Sequence, residues 1–348
     1  MKEIIITDKN AGGRLDKILF RYLDKASGGF IYKMLRKKNI TLNDKKASGS
    51  EIVEAGDSVK LYLADDTVAK FKSGLSVREA REAGNTAGRY KKEESAPKTV
   101  QRPFHWVSLK NNIVFEDRNI LAINKPVGVL SQKARPEDMS VNDFMLEHIP
   151  SDEFFTPGIC NRLDRNTSGI VLAGKNLNAA RELNRAIAGR DISKKYICLV
   201  GGVVSEDRVI DGWLFKDEKN NKVTITEKEA EGADRIITGY KVIASNDRVT
   251  LLEVDLITGK SHQIRAHLAS TGHPVIGDTK YGDSEANAYY SESFKLKSQL
   301  LHACKLEFQS ASGILEYLNG TVIKAELPLK FKKVLEAENL LKAYEEIF

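Results

Sequence analysis

The stretch CNRLDRNTSGIVLAG, Cys160 to Gly174, sets Asp164 between Arg162 and Arg165, passes through a polar turn and enters an apolar segment. A short apolar run bounded by turn residues predicts a buried strand, so a carboxylate flanked by guanidiniums stands at the lip of the core. If NRLDR is extended, Arg162 and Asp164 point to one face while Leu163 packs on the other. A neighbouring guanidinium keeps a carboxylate ionised at neutral pH, the state a nucleophile or base requires. The same pair can serve as a structural anchor for a loop, and the stretch alone leaves both readings open.

The segments around it decide the fold class. Upstream, NIVFEDRNILAINK places Ile113, Phe115, Leu121 and Ile123 in two strands of a hairpin around Glu116 to Asn119,. SVNDFMLEHI reads as a helix with Ser140 as its N-cap,. Downstream, NLNAARELNRAIAGRDI sets Leu177, Ala180, Leu183 and Ile187 on one side of an amphipathic helix, and KKYICLVGGVV is strand-like,. DRIITGYKVIASNDRVTLLEVDLITG predicts two strands across a turn at Asn246 and Asp247, and HQIRAHLASTG a helix ended by Gly272,. Strands outnumber helices without alternating strictly with them. An α+β fold with a mixed, mostly antiparallel sheet flanked by helices is expected, beginning near residue 111 and running to 348.

The first 65 residues read as a separate small module. In GRLDKILFRYL, Leu15, Ile18, Leu19 and Tyr22 follow the i, i+3, i+4, i+7 spacing of one buried helical face,. A second helix around GGFIYKMLRKK carries Lys33, Arg36, Lys37 and Lys38 on a cationic face beside Met34 and Leu35. Such a face is either a solvated helix end favourable to the dipole or a phosphate-contacting surface. Residues 1–63 hold thirteen Lys and Arg against eight Asp and Glu, so most of the chain's net charge of +6 lies there,. From about 66 to 110 the sequence is charged, poor in large apolar residues and broken by Gly and Pro, as in a linker,.

Composition excludes several classes. The 348 residues are 41% hydrophobic, enough to bury a full core and to suggest two or three domains. No apolar run approaches the roughly 18 residues needed to cross a bilayer. The start, MKEIIITDKNAGG, lacks the apolar region of a secretory signal, so a cytoplasmic protein without a membrane partner is expected. Cys160, Cys198 and Cys304 are far apart and form no CxxC pair, which argues against a disulfide framework or zinc site,. His262 and His267 miss the i, i+4 spacing of a helical metal motif, and no metal is expected,.

Two further segments carry candidate chemistry. In TGKSHQIRAHLASTGHPVIGDTKYG, a helix would place His262, Arg265 and Ala266 on one face and Ile264 and Leu268 on another that meets the core,. In SKKYICLV, Tyr196 follows Lys194 and Lys195; a strand tyrosine is commonly core, yet one beside lysines also suits a base-stacking platform next to a phosphate track.

Together these segments resemble the Rlu-type ribosomal large-subunit pseudouridine synthases, along the whole chain. RLDRNTSGIVLAGKN is similar to that family's HRLDxxTSG motif, KKYICLV to its KxY strand, TGKSHQIRAHLASTGHPVIGDTKYG to its TGRxHQIRxHL…GHPxxGDxxYG segment, and LLHACKLEF to its LHAxxLxF strand. GRLDKILFRYL…IYKMLRKKNITLNDKK resembles an S4 RNA-binding domain. Two positions depart from the pattern: Asn161 stands where the family usually has His, and Lys260 replaces a frequent Arg.

The resemblance implies a cofactor-free isomerisation of uridine in RNA, in which the N1–C1′ bond breaks, the uracil turns and C5 bonds to C1′. It implies Asp164 as the essential carboxylate, acting on C1′ or on a proton, Arg265 as its ion-pair partner and Tyr196 as the residue stacking on the base. Arg162, Lys195, His262 and Leu301 are carried over as substrate contacts, and Arg14, Lys33, Arg36, Lys37 and Lys38 as the RNA-binding surface of the S4-like module. The expected partner is large-subunit (23S) ribosomal RNA or the large-subunit precursor, met by a monomer. Transfer RNA is the alternative substrate. Two rivals lie outside the family: a noncatalytic RNA-binding or ribosome-assembly factor, and a glycosidic-bond hydrolase. A hydrolase commonly uses two carboxylates flanking the bond, and the sequence displays one beside the arginines.

Overall fold

The computed structural model describes residues 1–8, 10–72, 109–135, 137–151, 155–217 and 222–348. The chain divides into two compact units, one of residues 1–106 with 145–158 and 174–181, the other of 107–144, 159–173 and 182–348.

In the first unit, β1 (Lys2–Ile5), α1 (Leu15–Tyr22), α2 (Gly28–Arg36), β2 (Ile40–Leu42), β3 (Lys45–Lys46) and β4 (Ser58–Leu61) form two helices against a four-stranded antiparallel sheet of order β1-β4-β2-β3. Helices of eight and nine residues are too short to be stable alone, and packing holds them. Leu15, Ile18, Leu19 and Tyr22, the face read from the spacing, are all buried, against Ile31, Met34 and Leu35 of α2. Ser27 caps α2 by accepting a hydrogen bond from the Phe30 N–H. Lys33, Arg36, Lys37 and Lys38 are exposed. The segment beyond residue 65 opens with a further helix, α3 (Asp65–Phe71), whose Val68 and Phe71 join this core. Most of the expected linker, 73–108, lies outside the described residues.

The remaining elements are β5 (Ile113–Glu116), β6 (Ile120–Lys125), α4 (Val141–His148), β7 (Ser168–Gly174), α5 (Leu177–Gly189), β8 (Ile192–Gly201), β9 (Arg208–Asp217), β10 (Lys222–Thr226), β11 (Asp234–Ser245), β12 (Val249–Leu256), α6 (Gln263–Ser270), α7 (Ser284–Phe294), β13 (Leu301–Phe308), β14 (Val322–Lys324), α8 (Leu329–Ala337) and α9 (Leu341–Ile347). Their strands form one sheet of order β10-β9-β11-β12-β8-β13-β7-β6-β5, with β14 paired to β13. β13 and β7 run parallel, while β8 is antiparallel to both β12 and β13. This is the mixed, mostly antiparallel sheet expected.

Ser140 caps α4 reciprocally: its N–H and hydroxyl donate to Asp143, whose own N–H returns a hydrogen bond to the Ser140 hydroxyl,. Two expected faces shift. α5 buries Leu177, Ala179, Leu183 and Ala186, while Ala180 and Ile187 are half-buried; a helix rich in alanine offers little hydropathy contrast to fix its rotation. His262 is not part of α6, which starts one residue later, and adopts a left-handed conformation with φ of 58°.

Candidate active site

The segment carrying Asp164 is a loop tied down at both ends before it becomes β7. Cys160 N–H donates to the Leu172 carbonyl. Asn161 accepts from Leu172 N–H at 2.7 Å and donates to the Ile170 carbonyl at 3.1 Å, so the residue in the usual histidine position clamps the loop to the strand. Leu163 is buried, and the Ser131 hydroxyl bridges its N–H and carbonyl. Gly169, with φ of 116°, continues the chain where a Cβ would lie 2.3 Å from the Ala303 carbonyl oxygen; only glycine lets β7 approach β13 this closely,.

Lys125, fully buried at the end of β6, donates to the carbonyls of Pro126, Val129 and Arg165. Three acceptors match the three N–H groups of an ammonium. Burial pushes its amine down, to about 7, while the charge of Asp164 works in the opposite sense. Lys125 therefore pins the far side of the Asp164 loop.

Asp164 finds its ion-pair partner 101 positions away. Arg265 Nη1 donates to Asp164 Oδ2 at 2.7 Å, while Nε and Nη2 grip Asp278 at 2.6 and 2.9 Å. Asp278 is completely buried and also accepts the backbone N–H groups of Lys280 and Tyr281. Burial opposes its ionisation, yet these hydrogen bonds and the guanidinium hold its carboxyl below the usual value. Burial likewise works against the Arg265 charge, but the two carboxylates outweigh it and raise the pKa further. Because Asp278 occupies the bidentate edge of the guanidinium, Arg265 reaches only one oxygen of Asp164. The other oxygen stays outside that ion pair.

α6 is held in place by Gln263, which accepts from Thr258 and Lys260 and donates to Ile237 and Thr238. His262 Nδ1 lies 2.9 Å from the Tyr281 hydroxyl, and its Nε2 3.9 Å from Asp164 Oδ2. Burial lowers the His262 pKa, against the pull of Asp164. The Arg265 guanidinium lies over the Tyr281 ring at 5.3 Å.

These groups surround a cavity of about 70 Å³ whose walls include Arg162, Asp164, Tyr196, His262, Arg265 and Leu301. Tyr196 is buried, and burial together with the nearby Asp164 raises its hydroxyl pKa, so the phenol stays protonated. Arg162 is exposed and contributes to the rim; the carboxylate is paired with Arg265 rather than with this chain neighbour. Lys195 is outside the cavity wall and pairs with Asp255 at 3.1 Å, since adjacent strand residues point to opposite faces,. The cationic residues of the first unit, Arg14, Lys33, Arg36, Lys37 and Lys38, belong to its own surface. Nothing in the sequence singles out Asp278, Lys125, Gln263 or Tyr281. Asp278 and Tyr281 sit in the turn-rich GDTKYG segment, where a loop's demands conceal a buried ion pair. Among the described residues no group of three or more His, Cys, Asp or Glu is placed to hold a metal ion.

The site thus sets a loop-borne carboxylate, Asp164, against a largely buried arginine, Arg265. Residues 119–270 of the chain match the RNA pseudouridylate synthase family. Its relatives include the ribosomal large subunit pseudouridine synthase C of Vibrio parahaemolyticus, 29% identical over 95% of this chain and 94% of that protein, and that of Escherichia coli, 28% identical over 94% and 93%. The fold is shared with human RNA Pseudouridylate Synthase Domain Containing 4, with a TM-score of 0.55 and 22% identity over 68% of this chain and 95% of that one.

Proposed function

We propose that the enzyme converts specific uridines of large-subunit ribosomal RNA to pseudouridine, with Asp164 as the catalytic carboxylate. The observation that carries the reading is the Arg265 bridge, which grips a buried Asp278 with two N–H groups and offers one to Asp164. The names of its relatives supply the substrate class.

The target base must leave its stack before Asp164 can reach the sugar, at a cost of roughly a few kcal/mol. Tyr196 and Leu301 cover the extruded base, and Arg162 contacts the adjacent phosphate. Arg265 keeps Asp164 oriented without occupying both of its oxygens, so one is left to act at C1′ or on a proton. Residues 1–65 act as an S4-like module whose Lys33, Arg36, Lys37 and Lys38 add phosphate contacts, raising the local concentration of RNA at the catalytic unit. The enzyme works as a monomer in the cytoplasm.

Mass-spectrometric mapping of unmodified large-subunit RNA after incubation with the enzyme tests this reading. A small set of fully converted uridines is expected. Conversion confined to transfer RNA would replace the substrate while leaving the reaction.

A further inference from the structure

A second cavity, of about 440 Å³, adjoins the site without sharing its chemistry. The two are separated by a thin wall. Thr167 and Leu301 line the catalytic cavity, and their chain neighbours Ser168 and Leu300 line the second. Successive residues of an extended chain face opposite ways, so the cavities lie back to back across the starts of β7 and β13. Two hydrogen bonds tie that wall together: Gln299 donates to the Thr167 hydroxyl at 3.2 Å, and Ser168 meets His302 Nδ1 at 2.8 Å.

The second cavity has an apolar floor that includes Leu296, Leu300 and Phe331 and a rim carrying Lys295, Lys297 and Lys330. All three lysines are exposed, and among the described residues no carboxylate belongs to the lining. Lys330 Nζ donates to the Lys295 carbonyl at 2.7 Å, which fixes the two sides of the rim together. The volume falls within the ~300–1,000 Å³ of small-ligand sites. A flat apolar group attached to a phosphate is the chemistry that such a floor and rim recognise.

We propose that this cavity is a second nucleotide subsite, which takes a base flanking the target uridine while the lysine rim holds its phosphates. The inference rests on the RNA-modifying reading of the catalytic cavity. Extruding one uridine unstacks its neighbours, and a neighbour received across the wall regains apolar cover. The RNA strand then straddles the wall, with the target on one side and its neighbour on the other.

The test is photocrosslinking to unmodified, in-vitro-transcribed large-subunit ribosomal RNA with p-benzoylphenylalanine replacing Lys297 in one protein and Lys260, at the catalytic cavity, in another. Adducts from position 297 within about three nucleotides of those from position 260 are expected. Adducts from 260 alone, or adducts from 297 at distant nucleotides, would overturn the subsite and leave the catalytic reading standing. Absence of adducts from both positions would overturn both. If micromolar 5′-UMP abolishes the 297 adduct while sparing the 260 adduct, the cavity serves a free nucleotide and the RNA assignment falls. Independently, the Lys295→Ala/Lys297→Ala/Lys330→Ala protein is expected to show at least a tenfold higher KM for this RNA and a shallower salt dependence; an unchanged KM overturns the proposal.

Discussion

Both units contain an arginine tied to a buried aspartate, and they present opposite partners. In the first unit Asp16 is 2% exposed and receives two hydrogen bonds from Arg14 and one from Tyr32, while the Arg14 side chain remains 49% exposed. Burial alone would raise the Asp16 pKa, but the hydrogen bonds from Arg14 and Tyr32 bring it below the usual carboxylate value. In the second unit the Arg265 side chain is 9% exposed, Asp278 wholly buried, and Asp164 26% exposed. The first arrangement leaves a cation outermost, as proposed for RNA binding; the second leaves a carboxylate outermost, as proposed for catalysis. Which member of the pair is left in solvent decides what the pair can do.

Breaking the ion-pair support beneath Asp164 is expected to have a larger effect than any change to the first unit. Arg265→Gln leaves Asp278 buried without its cation, a loss of roughly 3–5 kcal/mol in stability, and removes the group that orients Asp164. Denaturant melts and single-turnover pseudouridine formation are expected to fall together, the rate by at least about a hundredfold. Asp278→Asn sharpens the point. It is expected to retain RNA affinity yet lose about tenfold in single-turnover rate, because the bidentate grip that limits Arg265 to one contact with Asp164 is weakened; loss of affinity with an unchanged rate would contradict this.

The outward-facing cations should behave differently. Replacing Lys33, Arg36, Lys37 and Lys38 with Gln is expected to weaken ribosomal RNA binding at least tenfold at physiological salt and to flatten its salt dependence. Single-turnover rates at saturating RNA should change little. Asp16→Asn, which loosens Arg14 without removing it, should weaken binding only a few-fold by the same filter or fluorescence assay.

A separate prediction, independent of RNA, concerns acid stability. Burial holds His302 down to about 4, between the Ser168 hydroxyl and the Ala325 carbonyl. Its folded pKa lies below the unfolded value of about 6.5, so the unfolded chain binds the extra proton between those values. Stability is therefore full above about pH 6.5 and declines as pH falls toward 4, at up to about 1.4 kcal/mol per pH unit from this residue. His302→Gln should flatten that part of the denaturant-melt profile.

Local patterns announced the strand entered by Asp164, the hairpin before it, and the helix face of Leu15, Ile18, Leu19 and Tyr22. They work because hydrophobic spacing acts through a few neighbouring residues. The pairing of Arg265 with Asp164 came from a resemblance between ordered motifs, since 101 positions separate them and spacing carries no such information. Lys125 escaped notice because its partners are three backbone carbonyls, which have no residue-type signature. Sequence periodicity continues the helix through His262 because it cannot show that the backbone turns left-handed one residue before α6 begins. Adjacency in the sequence groups Lys195 with Tyr196, although a strand sends neighbours to opposite faces.

The most direct test of the account compares wild type with Asp164→Asn, a near-isosteric change that keeps a hydrogen-bond acceptor toward Arg265. Single-turnover pseudouridine formation in unmodified large-subunit RNA would be measured alongside RNA affinity. The account predicts affinity within a few-fold of wild type and a rate reduced by more than about 10⁴. Pseudouridine formed by the variant at a rate near that of wild type would contradict the assignment of Asp164 and, with it, the purpose of the Arg265–Asp278 support beneath it.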